Sequence, residues 1–330
     1  MQIPPFRGFG PTEAIKQLTQ WVNQPVLTHA LREAAQKLGI REVPSLSSLQ
    51  ELVRQAGRWV DAATEPWSNQ HGKLLTPGIN ATGEWFSGRW TAPKWTPDSA
   101  ALLHLIHTST TEDCDAEGNC RALLTGTTGA ADALVAPSLS IAIHLMIQGL
   151  KNSHRIDRVI LPRKHCIRIP GGPLPGGRLL PDLVGACDVP VREIGTNTEC
   201  LIGDFDRALE SKSSLLLLAT SSVDDESVGI GIARAHEIGC CVGEVAVAGS
   251  LHDLMDIGLA SPALSRRWDR GPDLILVPGH YLLGGPECGI LLGKRDIIQS
   301  IRAYAEQSGM LADRATHLVL ADTIRSTGPS

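Results

Sequence analysis

The segment Val277-Pro278-Gly279-His280-Tyr281-Leu282-Leu283-Gly284-Gly285-Pro286 is the sharpest local feature that could carry chemistry. It follows one apolar run and precedes another, so it reads as a connection between two strands. Three glycines in such a turn let backbone approach either a ligand or another stretch of chain closely. A tight strand connection explains it equally well. Other constellations are weaker. His104, His107, Asp113, Cys114 and Cys120 crowd into one stretch, but their spacing matches no standard zinc site. The Asp/Glu/Gly/Asn composition between the two cysteines reads as a solvated loop, so no metal is expected. Gly229-Ile230-Gly231 lacks the third glycine of a dinucleotide fingerprint and reads as a helix start. Arg163-Lys164-His165 and Arg168 follow a strand pattern and fit either an anion site or a solvated loop.

These residues must be positioned by regular elements, and the chain supplies two textures. Up to about residue 75, apolar residues recur at helical spacing: Ala14, Ile15, Leu18, Trp21 and Val22, then Leu46, Leu49, Leu52, Val53, Ala56, Trp59 and Val60. A Pro- and Trp-rich stretch follows and reads as an irregular linker over 76–100. From about Leu102 helical and strand patterns alternate. Strands are expected at Arg121–Leu124, Arg158–Leu161, Val189–Ile194, Leu215–Ala219, Cys240–Ala248, Leu274–Val277 and Gly289–Leu292. Helices are expected at Ala131–Leu150 (starting at or after Ala136 because of Pro137), Phe205–Leu209, Ile232–Ile238 and from Ile297 onward. This alternation predicts an α/β domain with a mainly parallel sheet over 101–330.

Composition bounds the class. The chain has 330 residues with 42% hydrophobic and 20% charged residues, the profile of a globular protein and not of a disordered one. No apolar run approaches the roughly 20 residues of a membrane span, and Met1-Gln2-Ile3-Pro4-Pro5 does not begin a signal peptide. A cytoplasmic protein with no membrane partner is expected. The eight cysteines include no C-x-x-C and read as reduced, buried thiols. A net charge of -5 argues against a chain-wide nucleic-acid surface.

Several segments, in order, resemble the bacterial selenocysteine synthase family, the L-seryl-tRNA(Sec) selenium transferases. Leu282-Leu283-Gly284-Gly285-Pro286-Glu287-Cys288-Gly289 is similar to the segment around that family's cofactor lysine. Ile79-Asn80-Ala81-Thr82-Gly83 resembles the opening of its large domain, and Gly129-Ala130-Ala131-Asp132-Ala133-Leu134-Val135 a segment leading into a strand. Glu193-Ile194-Gly195-Thr196-Asn197-Thr198 resembles its Val-Gly-Thr-Thr-Asn stretch, and Gly249-Ser250-Leu251-His252-Asp253-Leu254 the segment after its cofactor-ring aspartate. The resemblance implies fold type I of the pyridoxal-phosphate enzymes, an aminotransferase-like large domain behind an N-terminal helical segment. It implies a seven-stranded, mostly parallel sheet and a homo-oligomer of dimers or larger rings. Trp85, Trp90 and Trp95 would suit such an interface, or would pack the linker onto its own domain.

The resemblance also marks departures. Tyr281 stands where the family has its Schiff-base lysine, and a phenol cannot form that bond. Val245 falls at the aspartate that would face the pyridinium nitrogen, and Glu244 beside it would point to the opposite face, unless a one-residue slip of register brings Glu244 to that position. Ser138 and Ser222 remain as candidate phosphate contacts, with His280, Gly284 and Gly285 as vestigial cofactor contacts. Lys294, beyond the next strand, is badly placed to substitute. The expectation is therefore a catalytically degenerate relative with no cofactor, or else an active pyridoxal-phosphate transferase or lyase that uses another lysine. A third reading is a new site in the old cleft built on His280, Tyr281 and Glu244. Basic and acidic residues are nearly balanced over 1–73, which leaves tRNA doubtful as a partner. The family's small C-terminal domain is expected to be largely missing.

Overall fold

The computed structural model describes residues 101–103, 106, 115–169, 177–220, 226–254 and 262–327. The expected N-terminal helical segment and linker, the three linker tryptophans, His104, His107, Asp113, Cys114 and Ser222 lie outside the described residues.

A seven-stranded sheet organises the chain. Its strands are β1 (Asp132–Ala136), β2 (Arg158–Pro162), β5 (Val191–Ile194), β6 (Ser214–Thr220), β7 (Cys241–Ala246), β8 (Leu274–Pro278) and β9 (Gly289–Gly293), and a two-residue hairpin of β3 (Arg168–Ile169) and β4 (Arg178–Leu179) stands apart. The spatial order is β1-β9-β8-β7-β6-β2-β5. Only β9 runs antiparallel to its neighbours, β1 and β8; the remaining pairings are parallel. The expected mostly parallel α/β sheet is what forms. The central strands explain why: Ser214-Leu215-Leu216-Leu217-Leu218-Ala219-Thr220 is buried at every position, as a strand covered by helices on both faces must be.

The helices are α1 (Ala116–Thr128), α2 (Leu139–Asn152), α3 (Leu180–Gly185), α4 (Ile202–Ala208), α5 (Glu226–Ile238), α6 (Leu264–Arg267), α7 (Arg295–Ser308) and α8 (Arg314–Thr327). On one face, Leu139, Ile143, Met146, Ile147 and Leu150 of α2 and Ile297, Ile298 and Ile301 of α7 pack with Leu217, Val245, Leu276 and Leu291 of the sheet. The other face carries two clusters. Leu124 of α1 and Leu320 and Ile324 of α8 cover Val135, Ile275, Val277 and Ile290. Phe205 of α4 and Val228 and Ile232 of α5 cover Ile160, Leu216, Leu218 and Val242. Each such aliphatic side chain contributes about 1.5–3 kcal/mol on burial.

Two sequence expectations are corrected here. Arg121–Leu124 is no strand but the middle of α1. Its buried residues Ala116, Cys120, Leu124 and Thr128 recur every fourth position, a helical stripe; Asp115 caps it, its Oδ1 accepting from Gly118 N at 2.8 Å. The composition between Cys114 and Cys120 therefore belongs to a helix start, and Cys120 points into the core. The helical reading of 131–150 divides into β1 and α2, with Pro137 and Ser138 between them. Among the described residues, no helix is long and apolar enough to cross a membrane.

Candidate functional site

Because β9 alone is reversed, the carboxyl ends of β1, β2, β5, β6, β7 and β8 share one edge of the sheet with the amino end of β9. Ligands of open α/β sheets bind outside that edge. The fold gathers Ser138, His165, Thr220, the 279–285 turn and Gly289 there. Ser138 is the N-cap of α2, its Oγ accepting from Ile141 N at 3.2 Å. β9 starts directly beneath this cap: a Cβ at Gly289 would lie 2.4 Å from Ser138 O. His165 Nδ1 lies 2.7 Å from Ala219 O and joins the ends of β2 and β6.

The turn after β8 is fixed by its own backbone. Gly279 N donates to Cys288 O at 2.9 Å, and Gly285 N donates to Gly279 O at 2.8 Å. A Cβ at Gly279 would sit 2.3 Å from Cys288 Sγ, and one at Gly285 would sit 2.9 Å from Gly279 O and 3.2 Å from Leu320 of α8. Those two glycines serve close packing of the chain on itself. Gly284 adopts φ 71°, which favours glycine, and nothing crowds it.

His280 and Tyr281 stand on this rigid turn with ring centroids 4.5 Å apart. His280 is only 4% exposed, and its Nδ1 is buried with no hydrogen-bond partner among the described residues. Burial holds its imidazole below the usual histidine range, against the opposing pull of Glu287. Burial, with Glu287 adding to it, pushes the Tyr281 phenol up to about 12. Both groups are therefore uncharged at neutral pH: one neutral imidazole and one protonated phenol.

The neighbouring strand β7 separates two residues by face. Val245 is fully buried among the α2-side apolar residues. Glu244 is also fully buried, on the opposite face. Its Oε1 accepts from Thr220 Oγ1 at 2.5 Å, Arg267 Nη1 at 2.5 Å and Arg270 Nη2 at 2.8 Å. Desolvation pulls the Arg267 guanidinium below its ordinary range and Glu244 opposes that pull. Sequence reading missed this network; its one signal was Arg266-Arg267 and Arg270 in a short stretch leading into an apolar strand. The third-site expectation that joined Glu244 to His280 and Tyr281 meets a Glu244 already engaged by two arginines.

The remaining candidates separate. Lys294 caps the start of α7 past the far end of β9, at the opposite edge of the sheet, and its Nζ lies 2.5 Å from Asp273 Oδ1. Arg163 pairs with Glu193 at 3.2 Å and Arg168 Nη1 donates to Gly177 O at 3.3 Å. Gly229 and Gly231 lie inside α5, and a Cβ at Gly231 would meet the Phe205 ring at 2.7 Å. No group of three or more potential metal ligands occurs among the described residues.

Sheet order, helix placement and the turn after β8 together define the aminotransferase-like fold of pyridoxal-phosphate enzymes of fold type I. Solved structures agree: D-glucosaminate-6-phosphate ammonia-lyase superposes with TM-score 0.57 at 14% identity, over 72% of this chain and 64% of that one. Aspartate aminotransferase from Thermus thermophilus with maleate gives TM-score 0.53 at 15% identity, over 72% and 65%. This chain thus spans slightly less than two thirds of either. The family SelA, L-seryl-tRNA selenium transferase, matches residues 109–327, and the chain belongs to it. Similar curated relatives are the L-seryl-tRNA(Sec) selenium transferases of Hyphomonas neptunium, 26% identical over 98% of this chain and 72% of the relative, and of Serratia proteamaculans, 24% identical over 98% and 71%.

Pyridoxal phosphate is the cofactor of this fold, so the expectation of a chain with no cofactor draws no support from these likenesses. At the turn itself Tyr281 offers no amine, and β7 turns an aliphatic side chain toward the α2 face while its buried carboxylate lies on the other.

Proposed function

We propose that this selenium-transferase-family chain keeps the fold and has given up Schiff-base chemistry at the turn after β8. The observation that carries this reading is Tyr281, a protonated phenol on a turn locked by Gly279 and Gly285. Two others support it. Val245 lies in an apolar cluster where a carboxylate would be needed to draw electrons into the ring. Lys294 is held by Asp273 at the wrong edge of the sheet. The relatives' names concern seryl-tRNA; on this reading the chain binds a ligand or a partner, without selenium transfer. The expected homo-oligomer and a cytoplasmic location go with this proposal.

The test compares the unmodified protein with Tyr281→Lys after addition of pyridoxal phosphate. Only the variant is expected to develop a visible absorption band that borohydride abolishes. A reducible band in the unmodified protein, together with turnover of seryl-tRNA, would overturn the reading. It would favour the second one, an active pyridoxal-phosphate transferase or lyase drawing on another lysine. Lys164, in the short turn after β2, is the described lysine at the carboxyl edge of the sheet. Peptide mapping after reduction would identify the lysine used.

A further inference from the structure

We infer that a cavity between the starts of α1 and α8 binds the ammonium group of a small aliphatic monoamine. The cavity holds about 470 Å³, and none of its lining residues belongs to the turn after β8. His317 forms part of its wall while only 3% exposed. Its Nδ1 lies 2.8 Å from Asp313 O, one helical turn back. A carbonyl oxygen only accepts, so Nδ1 carries the proton and Nε2 of the neutral ring carries a lone pair. Nε2 has no hydrogen-bond partner among the described residues, and it is not sealed from the cavity as His280 Nδ1 is sealed in its turn. The acidic groups in the wall add further acceptors. Asp115 uses Oδ1 on Gly118 N at 2.8 Å, and Glu117 uses Oε1 on Arg302, which leaves the second oxygen of each without a partner among the described residues. Two helix N-termini would by themselves favour an anion. Here Asp115 and Asp313 already cap them, Asp313 Oδ1 accepting from Thr316 N at 2.6 Å. The cavity therefore lacks donors, and a protonated primary amine brings three. No group of three potential metal ligands occurs among the described residues, so the cation that fits is one carrying its own N–H groups. Ala116, Leu311 and Ala312 give a short carbon chain an apolar wall. Arg314, exposed at the rim, opposes a second positive charge and so selects a monoamine over a diamine.

The experiment uses the full chain at pH 8, where an alkylamine is cationic. The probes are butylamine, its neutral isostere 1-butanol, and 1,4-diaminobutane, titrated by ligand-observed NMR. Butylamine is expected to saturate in the millimolar range, as a ligand of so few atoms must. 1-Butanol should bind about tenfold more weakly, and 1,4-diaminobutane no more tightly than butylamine. His317→Phe keeps a ring and removes Nε2, and should weaken butylamine about tenfold. Asp115→Asn keeps the α1 cap and removes the charge, and should weaken it about fivefold. Thermal melting reports the folding of each variant; if His317→Phe does not fold, Asp115→Asn decides. Absence of saturable butylamine binding, equal affinity for 1-butanol, tighter binding of 1,4-diaminobutane, or unchanged butylamine binding in either folded variant overturns the inference. The reading of Tyr281 stands or falls separately, on its own borohydride test.

Discussion

The two faces of β7 at Glu244 and Val245 hold opposite solutions to burial. On one side Val245 disappears into aliphatic packing against α2. On the other Glu244 enters the interior as a carboxylate and brings two guanidinium groups with it. A strand's side chains alternate, so one position decides which face a carboxylate reaches. The charge at this point of the sheet serves α6 and the end of β6. It lies on the face of β7 opposite Val245 and the α2 cluster.

That contrast can be broken by substitution, and the largest effect is expected on the polar face. Glu244→Ala leaves Arg267 and Arg270 without their shared carboxylate and should cost about 3–5 kcal/mol in denaturant unfolding. A loss no greater than that of an exposed ion pair would show that the arginines find other partners at no cost. On the apolar face, Val245→Asp places an unpaired acid among aliphatic side chains and should cost about 2–4 kcal/mol. Adding pyridoxal phosphate to the Val245→Asp, Tyr281→Lys double variant should recover part of that loss as a higher melting temperature. An unchanged melting temperature would mean that Val245 does not face the ring position.

A smaller effect is expected from titration. The Tyr281 phenol is raised by burial to about 12 from 10.0, so the unfolded chain releases this proton before the folded one does. Stability should fall as pH rises above about 10, and Tyr281→Phe should flatten that fall. His280 works in the other direction: its folded value is lowered, so stability should fall as pH drops below about 6.5, and His280→Phe should remove that slope. Matching acid and alkaline profiles in variant and parent would place both rings in water. Last, Ser138→Ala should cost about 1 kcal/mol through loss of the α2 cap, read by urea midpoint.

The sheet was legible where apolar runs were bounded by turn residues, as at β2, β6, β8 and β9. It was not legible at β1, where Asp132-Ala133-Leu134-Val135-Ala136 is built of residues equally at home in a helix; burial on both sides decides it. α1 escaped notice because its buried stripe, Ala116, Cys120, Leu124 and Thr128, holds one large aliphatic side chain. The resemblance drew attention to Tyr281 and Val245, and the fold places one on the turn after β8 and the other on β7. The Glu244 network was not, because its partners come from a separate element and only the folded sheet brings Arg267 and Arg270 over β7. The tilted ring contact of His280 with Tyr281 follows from a turn geometry that glycine spacing alone does not define.

The reversed strand β9 also sets an order of events during synthesis. β1 has β9 as its neighbour in the sheet, with Asp132 opposite Gly293 and Ala136 opposite Gly289. Its outer edge is later covered by Ala312 N, which donates to Val135 O, and by Arg302, which donates to Ala133 O. Ribosomes add about 5–20 residues per second, so β1 emerges on the order of ten seconds or more before either of its covers exists. For that interval the four apolar residues after Asp132 lack their partner β9, and the nascent chain depends on α2 and on chaperones to keep them from pairing with a neighbour's copy.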